Sequence, residues 1–304
     1  MIDLLIEKIA QKKNPTVLGV DTRLEYLPED LRRGVDSLEG AAEAIWTFNR
    51  RLIDALAPIV PAVKVQVAYY EMYGVPGMRI FRDTLAYAQQ QGLVAIADVK
   101  RNDIGATASA YAQAYLGAAD VNGARLPAFP CDGVTVNGYL GVDGVKPFVD
   151  LCGPGKGIFV LVKTSNPSSG QLQDLPLEQG GTIYEKMGQL VEQWGADQMG
   201  AHGYSRVGAV VGATYPAQGK ALRAQMPHTF FLVPGYGAQG ATGKDLAGCF
   251  DAQGRGALVN ASRSLLCAHQ KRPELGFPGA AVAEAERMRA DITAALTAAG
   301  KGNW

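Results

Sequence analysis

The sequence has 304 residues with 29 Lys+Arg and 29 Asp+Glu, so its formal net charge is zero. Without an excess of basic residues, it lacks the electrostatic footprint of a nucleic-acid-binding protein, and its 47% hydrophobic content argues against general disorder. No run of about 18 apolar residues suggests a membrane span, and the first residues lack the basic start and continuous apolar run of a signal peptide.

The cysteine pattern bears on metal binding and cellular compartment. The four cysteines form no CxxC pair, so a zinc site of that type is not expected. We predict buried free thiols in a reducing, cytoplasmic compartment.

Short runs rich in Val, Ile and Leu alternate with helical stretches along the whole chain, as parallel strands covered on both faces do. The predicted strands span residues 16–21, 62–67, 93–100, 133–137, 157–163, 207–213, 229–234 and 257–260. The predicted helices span residues 41–56, 78–91, 104–116, 182–194, 216–226 and 280–299. Eight such units predict a (β/α)8 TIM barrel, formed by residues 1–304 as a single domain with a C-terminal helix. A doubly wound open sheet is the alternative, because periodicity does not show closure.

Charged side chains lie in or at the ends of the first three predicted strands. Asp21 ends the first strand, Lys64 lies in the second, and Asp98 and Lys100 close the third, with Asp103 just before the next helix. Barrel active sites lie at the carboxyl ends of the strands. Side chains two apart on a strand share a face, so Asp98 and Lys100 are expected to point the same way. Asp103 could also be only a helix N-cap, and Asp98 with Lys100 only a structural ion pair.

Two later segments suggest a phosphate site. Residues 234–240 contain a GxGxxG pattern, but it follows the seventh strand, whereas a dinucleotide fingerprint belongs to the first βα turn. In barrels, the loops after strands seven and eight often bind phosphate. Arg263 begins a predicted short helix after strand eight, and Gln239 lies in the glycine loop. We therefore expect a phosphate between these two loops.

The segment DVKRNDIGAT at residues 98–107 resembles the DxKxxDIGxT signature of the orotidine 5′-phosphate decarboxylase family. The likeness runs from about residue 21 to residue 266 and is strongest to the longer bacterial branch. Asn102 replaces a common Gly and Gly138 a common Pro, and neither change removes a reacting group. Further matching segments are TVNGYLG at 135–141, KTSNP at 163–167, PGYGAQG at 234–240 and SRS at 262–264.

The resemblance implies a homodimeric barrel that converts orotidine monophosphate to uridine monophosphate in pyrimidine nucleotide biosynthesis, without cofactor or metal. It implies that Lys100 protonates C6 while Asp98 lies against the departing carboxylate. It also implies that Lys64 contacts Asp98 and the ribose, Asp21 binds a ribose hydroxyl, Ser165 binds the pyrimidine, Gln239 and Arg263 hold the phosphate, and Asp103 and Thr107 come from the partner subunit.

Three other functions are compatible with the residues. A related barrel lyase acting on sugar phosphates would add a metal ion and other acid–base groups. An aldolase would use Lys64 or Lys100 as a Schiff-base nucleophile. A silent phosphate-ligand binding protein would need no proton donor, and the set of Asp98, Lys100 and Asp103 argues against it.

Overall fold

The computed structural model of the chain describes residues 1–237 and 240–302. The strands are β1 Thr16–Val20, β2 Ala62–Gln66, β3 Val94–Arg101, β4 Ala119–Val121, β5 Ala124–Leu126, β6 Gly133–Val136, β7 Gly157–Lys163, β8 Val207–Val211, β9 Phe231–Val233 and β10 Ala257–Ala261. Eight of them are parallel and close into a barrel in the spatial order β1-β10-β9-β8-β7-β6-β3-β2, and β4 and β5 form a separate antiparallel hairpin.

The first strand decides between the closed barrel and the open sheet. β1 pairs in parallel with β2, with Val17 opposite Ala62, and also with β10, with Val17 opposite Asn260. A first strand that pairs on both sides with the second and last barrel strands leaves no sheet edge. The predicted (β/α)8 barrel is confirmed, and the open sheet is excluded.

Helices cover the outside of the barrel and connect its strands. The helices are α1 Ile2–Lys12, α2 Glu29–Arg32, α3 Leu38–Leu56, α4 Ala68–Glu71, α5 Gly74–Gln90, α6 Gly105–Tyr115, α7 Val142–Val149, α8 Ile183–Trp194, α9 Pro216–Gln225, α10 Gly243–Leu246, α11 Arg263–Leu266, α12 Ala268–Lys271 and α13 Gly279–Ala298. Short 3₁₀ helices span Leu24–Tyr26, Pro167–Gln171, Ala247–Cys249 and Pro273–Leu275.

The eight predicted strands match the barrel strands to within two residues at each end. The predicted elements do not include helices α1 and α7, the short helices α2, α4, α10 and α12, or the β4–β5 hairpin. Helix α7 contains Gly144 and Pro147, which weaken a helical pattern. All six hairpin strand residues are exposed, so no buried alternation marks them as strands.

Helix α1 closes the amino end of the barrel. Its residues Ile2, Leu5 and Ile9 are buried in a cluster that also contains Val17 and Phe159 from the barrel interior. A second cluster lies between the strands and the outer helices and contains Val63, Val65, Ala97 and Val99. These four side chains therefore face the helices, as predicted. Helix α1 therefore covers the barrel interior at the amino end, and the carboxyl ends of the strands are left for a site.

The four cysteines are free, as predicted. Cys131, Cys249 and Cys267 are also buried as predicted, whereas Cys152 is half-buried. Within the two described ranges, no helix is both long and apolar enough to span a membrane. The prediction that all 304 residues form one domain stays a prediction.

Candidate active site

A cavity of about 500 Å³ opens at the carboxyl ends of the barrel strands. It brings together six of the nine side chains predicted for the site. These are Asp21, Lys64, Asp98, Lys100, Ser165 and Arg263. The other lining residues are Tyr26, Gln66, Tyr69, Pro234, Gly235, Tyr236, Asn260 and Ser262.

A chain of alternating charges forms the floor of the cavity. Lys64 Nζ donates to Asp21 Oδ1 at 3.2 Å and to Asp98 Oδ2 at 2.8 Å. Lys100 Nζ donates to the other Asp98 oxygen, Oδ1, at 2.6 Å. The side chains of Lys64 and Asp98 are 6% and 9% exposed, whereas that of Lys100 is 44% exposed. Of the two lysines on the cavity floor, Lys100 is therefore the one that a bound molecule can reach.

The electrostatics keep the buried pair ionised. Burial by itself would raise the pKa of Asp98, but Lys64 and Lys100 outweigh it and hold that pKa well below its ordinary value. Burial by itself would lower the pKa of Lys64, but the carboxylates of Asp21 and Asp98 outweigh it and raise that pKa. An ionised carboxylate therefore lies beside the Lys100 side chain at neutral pH.

The convergence of Asp98 and Lys100 depends on an irregular strand. Regular alternation predicts that these side chains share a face, but the register between β3 and β6 shifts between Ala97 and Arg101. Lys100 has a φ of 47°, in the left-handed region that few non-glycine residues adopt. The two side chains do meet, but in a bulge rather than on an evenly pleated strand.

Ser165 is carried by the loop that follows β7. The side chain of Lys163, at the end of β7, is fully buried, and its Nζ donates to Ser169 Oγ at 3.0 Å and to Asp174 Oδ1 at 2.8 Å. A Cβ at Gly212 would lie 2.9 Å from Ser165 Cα, so the neighbouring strand end approaches this loop closely. These contacts fix the loop at one side of the cavity.

Arg263 lies on the opposite side, at the start of the short helix α11 that the sequence predicts. Gly19 allows the ends of β1 and β10 to come together, since a Cβ there would lie 2.0 Å from Ser262 Oγ. Pro234 and Gly235 of the glycine loop line the same part of the cavity. Gln239, the other predicted phosphate ligand, lies outside the described residues.

Asp103 and Thr107 are not among the residues that line this cavity. Asp103 Oδ1 accepts a hydrogen bond from the Ile104 backbone N–H at 2.8 Å, and Thr107 is exposed on α6. The N-cap of α6 is Ile104, which makes no side-chain cap, so Asp103 is not the N-cap. Within one chain, these two predicted site residues do not join the others.

Several cavity residues are not among those predicted from the sequence. Gln66 Nε2 donates to Asp98 Oδ2 at 3.0 Å. Gln66 lies two residues after Lys64 on β2, so the alternation that selects Lys64 could also have found it. Tyr26 and Tyr69 lie on a 3₁₀ helix and just after β2, and no local pattern marks them.

A larger cavity of about 700 Å³ lies at the other end of the barrel, between α1 and the residues leading into β10. Its lining is mostly apolar. Among the described residues that line it, the charged pair is Glu7 with His202, at 3.4 Å, and no lysine lies there beside a buried carboxylate. We therefore assign the chemistry to the smaller cavity. In residues 1–237 and 240–302, no group of three or more His, Cys, Asp or Glu side chains is placed to hold a metal ion.

The profile of the orotidine 5′-phosphate decarboxylase / HUMPS family matches residues 41–275, more than half of the chain. The chain belongs to this family. A relative named orotidine 5′-phosphate decarboxylase from Rhodopirellula baltica is 48% identical over 259 residues, covering 84% of each chain. One of the same name from Caldicellulosiruptor bescii is 39% identical over 301 residues, covering 97% of this chain and 98% of the relative.

The family's solved structures agree with the fold. The structure of OMP decarboxylase from Leishmania donovani superposes with a TM-score of 0.76 at 29% identity, covering 97% of this chain and 98% of that one. The orotidine 5′-phosphate decarboxylase resemblance seen in residues 98–107 is thus confirmed as family membership.

Proposed function

We propose that this chain decarboxylates orotidine 5′-phosphate to uridine 5′-phosphate, in the cytoplasm and as a step of pyrimidine nucleotide biosynthesis. One observation carries the proposal: a reachable lysine ammonium, Lys100, lies 2.6 Å from the buried carboxylate of Asp98 at the mouth of a barrel. Relatives of the same length class carry the decarboxylase name at 39% and 48% identity. The four free thiols are compatible with a reducing compartment.

The Lys100 ammonium supplies what this reaction needs. Loss of carbon dioxide from C6 leaves an electron pair on a ring carbon. A cation beside that carbon stabilises the developing charge, and its proton is transferred to the carbon as the C–C bond breaks. Lys64 is the other amine in the cavity, but it is buried between two carboxylates. Lys100 is therefore the proton donor, and Lys64 holds Asp98 in place.

Asp98 raises the energy of the bound substrate at the bond that breaks. Its ionised carboxylate lies against the substrate carboxylate, and two like charges ~4 Å apart at an effective dielectric of ~20 repel by about 4 kcal/mol. This repulsion disappears when neutral carbon dioxide leaves. Binding of the rest of the nucleotide offsets the repulsion. Arg263 and the glycine loop bind the phosphate, Asp21 binds the ribose, and Ser165 binds the pyrimidine.

The direct test is the absorbance change when chelator-treated protein is added to orotidine 5′-phosphate. Metal-free loss of substrate with uridine 5′-phosphate as the product is the expected result. Activity that disappears with chelation would instead indicate a metal-assisted sugar-phosphate lyase. Covalent trapping of substrate by borohydride would indicate a Schiff-base aldolase, and nucleotide binding by folded protein without turnover would indicate a silent binding protein.

We also propose that the active form is a homodimer in which each chain lends Asp103 and Thr107 to its partner's cavity. Both residues lie outside the cavity of their own chain. Large apolar side chains are exposed around them. Ile104 is 57%, Tyr139 75% and Val142 49% exposed. A second copy of the chain would cover such a patch.

Mixing two inactive variants tests the shared site. Lys100→Ala and Asp103→Ala are each expected to be nearly inactive alone. In a mixed dimer, the cavity of the Asp103→Ala chain keeps its own Lys100 and receives an intact Asp103 from its partner. After random exchange of subunits, the mixture should recover about one quarter of wild-type activity.

Differently tagged chains verify that subunits have exchanged. If the mixture is then as inactive as each variant alone, the shared site is contradicted. A wild-type protein that sediments as a monomer at assay concentration would contradict it as well.

Arg263→Ala is expected to weaken uridine 5′-phosphate binding by about 10- to 100-fold, because it removes a charge-assisted contact to phosphate. Binding of uridine, which has no phosphate, should hardly change. Titration calorimetry with both ligands separates the two effects. Arg82→Ala, on the outer face of α5 and paired with Asp83, is the matched control. Equal affinity of wild type and Arg263→Ala for uridine 5′-phosphate would refute the phosphate role.

A further inference from the structure

We infer that Thr135 is a positioning residue that sets the places of Asp98 and Lys100 in the cavity. The inference rests on the proposed function, because the spacing of those two side chains matters for decarboxylation. Thr135 lies on β6, is 1% exposed and is not among the residues that line the cavity. It therefore acts on the reaction through its neighbours.

Thr135 lies opposite the bulge of β3. The register pairs Ala97 with Val134 and Arg101 with Val136. Between these pairs, β6 contributes only Thr135, whereas β3 contributes the three residues 98–100. A strand with two extra residues cannot continue the regular ladder, so its backbone groups need another partner.

The Thr135 hydroxyl is that partner. Its Oγ1 accepts hydrogen bonds from the backbone N–H groups of Val99 at 3.0 Å and Lys100 at 2.9 Å. It also donates to Asp98 Oδ1 at 2.8 Å, the carboxylate oxygen that Lys100 Nζ contacts. A hydroxyl has one donor and two acceptor positions, so these three bonds use its full capacity.

These bonds explain why an unfavourable backbone conformation persists. The left-handed φ of Lys100 is kept only where surrounding contacts specify it. Thr135 binds the amide of that residue and the carboxylate that its side chain contacts. One hydroxyl therefore fixes both the backbone of the proton donor and the orientation of its anionic neighbour.

Thr135→Val tests the inference, because valine has nearly the same shape without the hydroxyl. We expect kcat to fall by about 10²-fold, as for a small misplacement of reacting groups. Affinity for uridine 5′-phosphate should stay within about threefold of wild type, since Thr135 touches none of the predicted ligands Asp21, Ser165 and Arg263. Thr135→Ser keeps the hydroxyl and should restore kcat. If Thr135→Val does not fold, Thr135→Ala, which adds no atoms, carries the same comparison.

Amide hydrogen exchange tests the contact without substrate. In Thr135→Val, the amides of Val99 and Lys100 should exchange about 10-fold faster or more, whereas Thr135→Ser should keep their protection. The inference would be overturned if the Val99 and Lys100 amides exchanged at the wild-type rate in Thr135→Val. It would also be overturned if kcat were unchanged in a folded Val or Ala variant, or if kcat and nucleotide affinity fell equally. If the wild-type protein did not turn over orotidine 5′-phosphate, the proposed function would be wrong instead. The exchange rates would still show whether Thr135 binds the Val99 and Lys100 amides.

Discussion

Lys100→Ala is expected to lower kcat for orotidine 5′-phosphate by about 10⁴-fold or more, because the variant loses both the proton donor and the cation beside C6. Asp98 keeps its contacts with Lys64 and Gln66, so the cavity floor should stay in place. Binding of uridine 5′-phosphate should therefore remain measurable. Single-turnover rates and calorimetric titration measure the two quantities separately.

Lys220→Ala is the matched control for this variant, since Lys220 is exposed on the outer helix α9. It should have wild-type kcat and affinity. Turnover of Lys100→Ala near the wild-type rate would refute the role of Lys100 as proton donor. Complete loss of nucleotide binding would instead show that Lys100 mainly holds the site together.

Asp98→Asn is expected to lower kcat by about 10³-fold, the factor that corresponds to the ~4 kcal/mol of like-charge repulsion it removes. The variant is nearly isosteric, so Lys64 keeps Asp21 as a partner. The same loss of repulsion should tighten binding of the carboxylated substrate, so KM should fall together with kcat. Affinity for uridine 5′-phosphate, which lacks the carboxylate, should change much less. Unchanged KM with reduced kcat would indicate that Asp98 mainly orients Lys100.

The same variant should change how stability depends on pH. Because the pKa of Asp98 is held below its ordinary value, its ionised form contributes stability that is present above about pH 4 and is lost as the pH falls through the lower folded-state pKa. Asp98→Asn lacks this titration, so its free energy of unfolding should decline less steeply in acid than that of the wild type. Urea unfolding at several pH values below 5 measures the difference.

The charged residues that meet at the carboxyl ends of the strands could be predicted from the sequence, because parallel strands in a barrel all end on one face. Asp21 ends the first predicted strand, and Lys64 and Asp98 lie within the second and third. The structure brings the three side chains within hydrogen-bond distance of one another through Lys64. The catalytic and binding roles of these residues remain predictions. The positions themselves followed from strand periodicity and the barrel rule.

The bulge in β3 could not be predicted in this way. Periodicity treats residues 93–100 as an even strand, whereas the backbone turns left-handed at Lys100 because Thr135 on β6 offers it a hydroxyl. Those residues are 35 positions apart in the chain. No local pattern predicts such a contact, and in the sequence Thr135 stands out only as part of the family-like segment at residues 135–141.

By itself, the sequence determined the eight strands, the family and the set of charged residues at the strand ends. These properties depend on local periodicity and short motifs, which neighbouring residues specify. Tertiary structure alone decided that β1 closes onto β10, that α1 packs against the amino end of the barrel, and that β3 carries a bulge at Lys100. Barrel closure, burial and contacts between side chains depend on residues that are far apart in the chain. Such residues come together only once the barrel has formed.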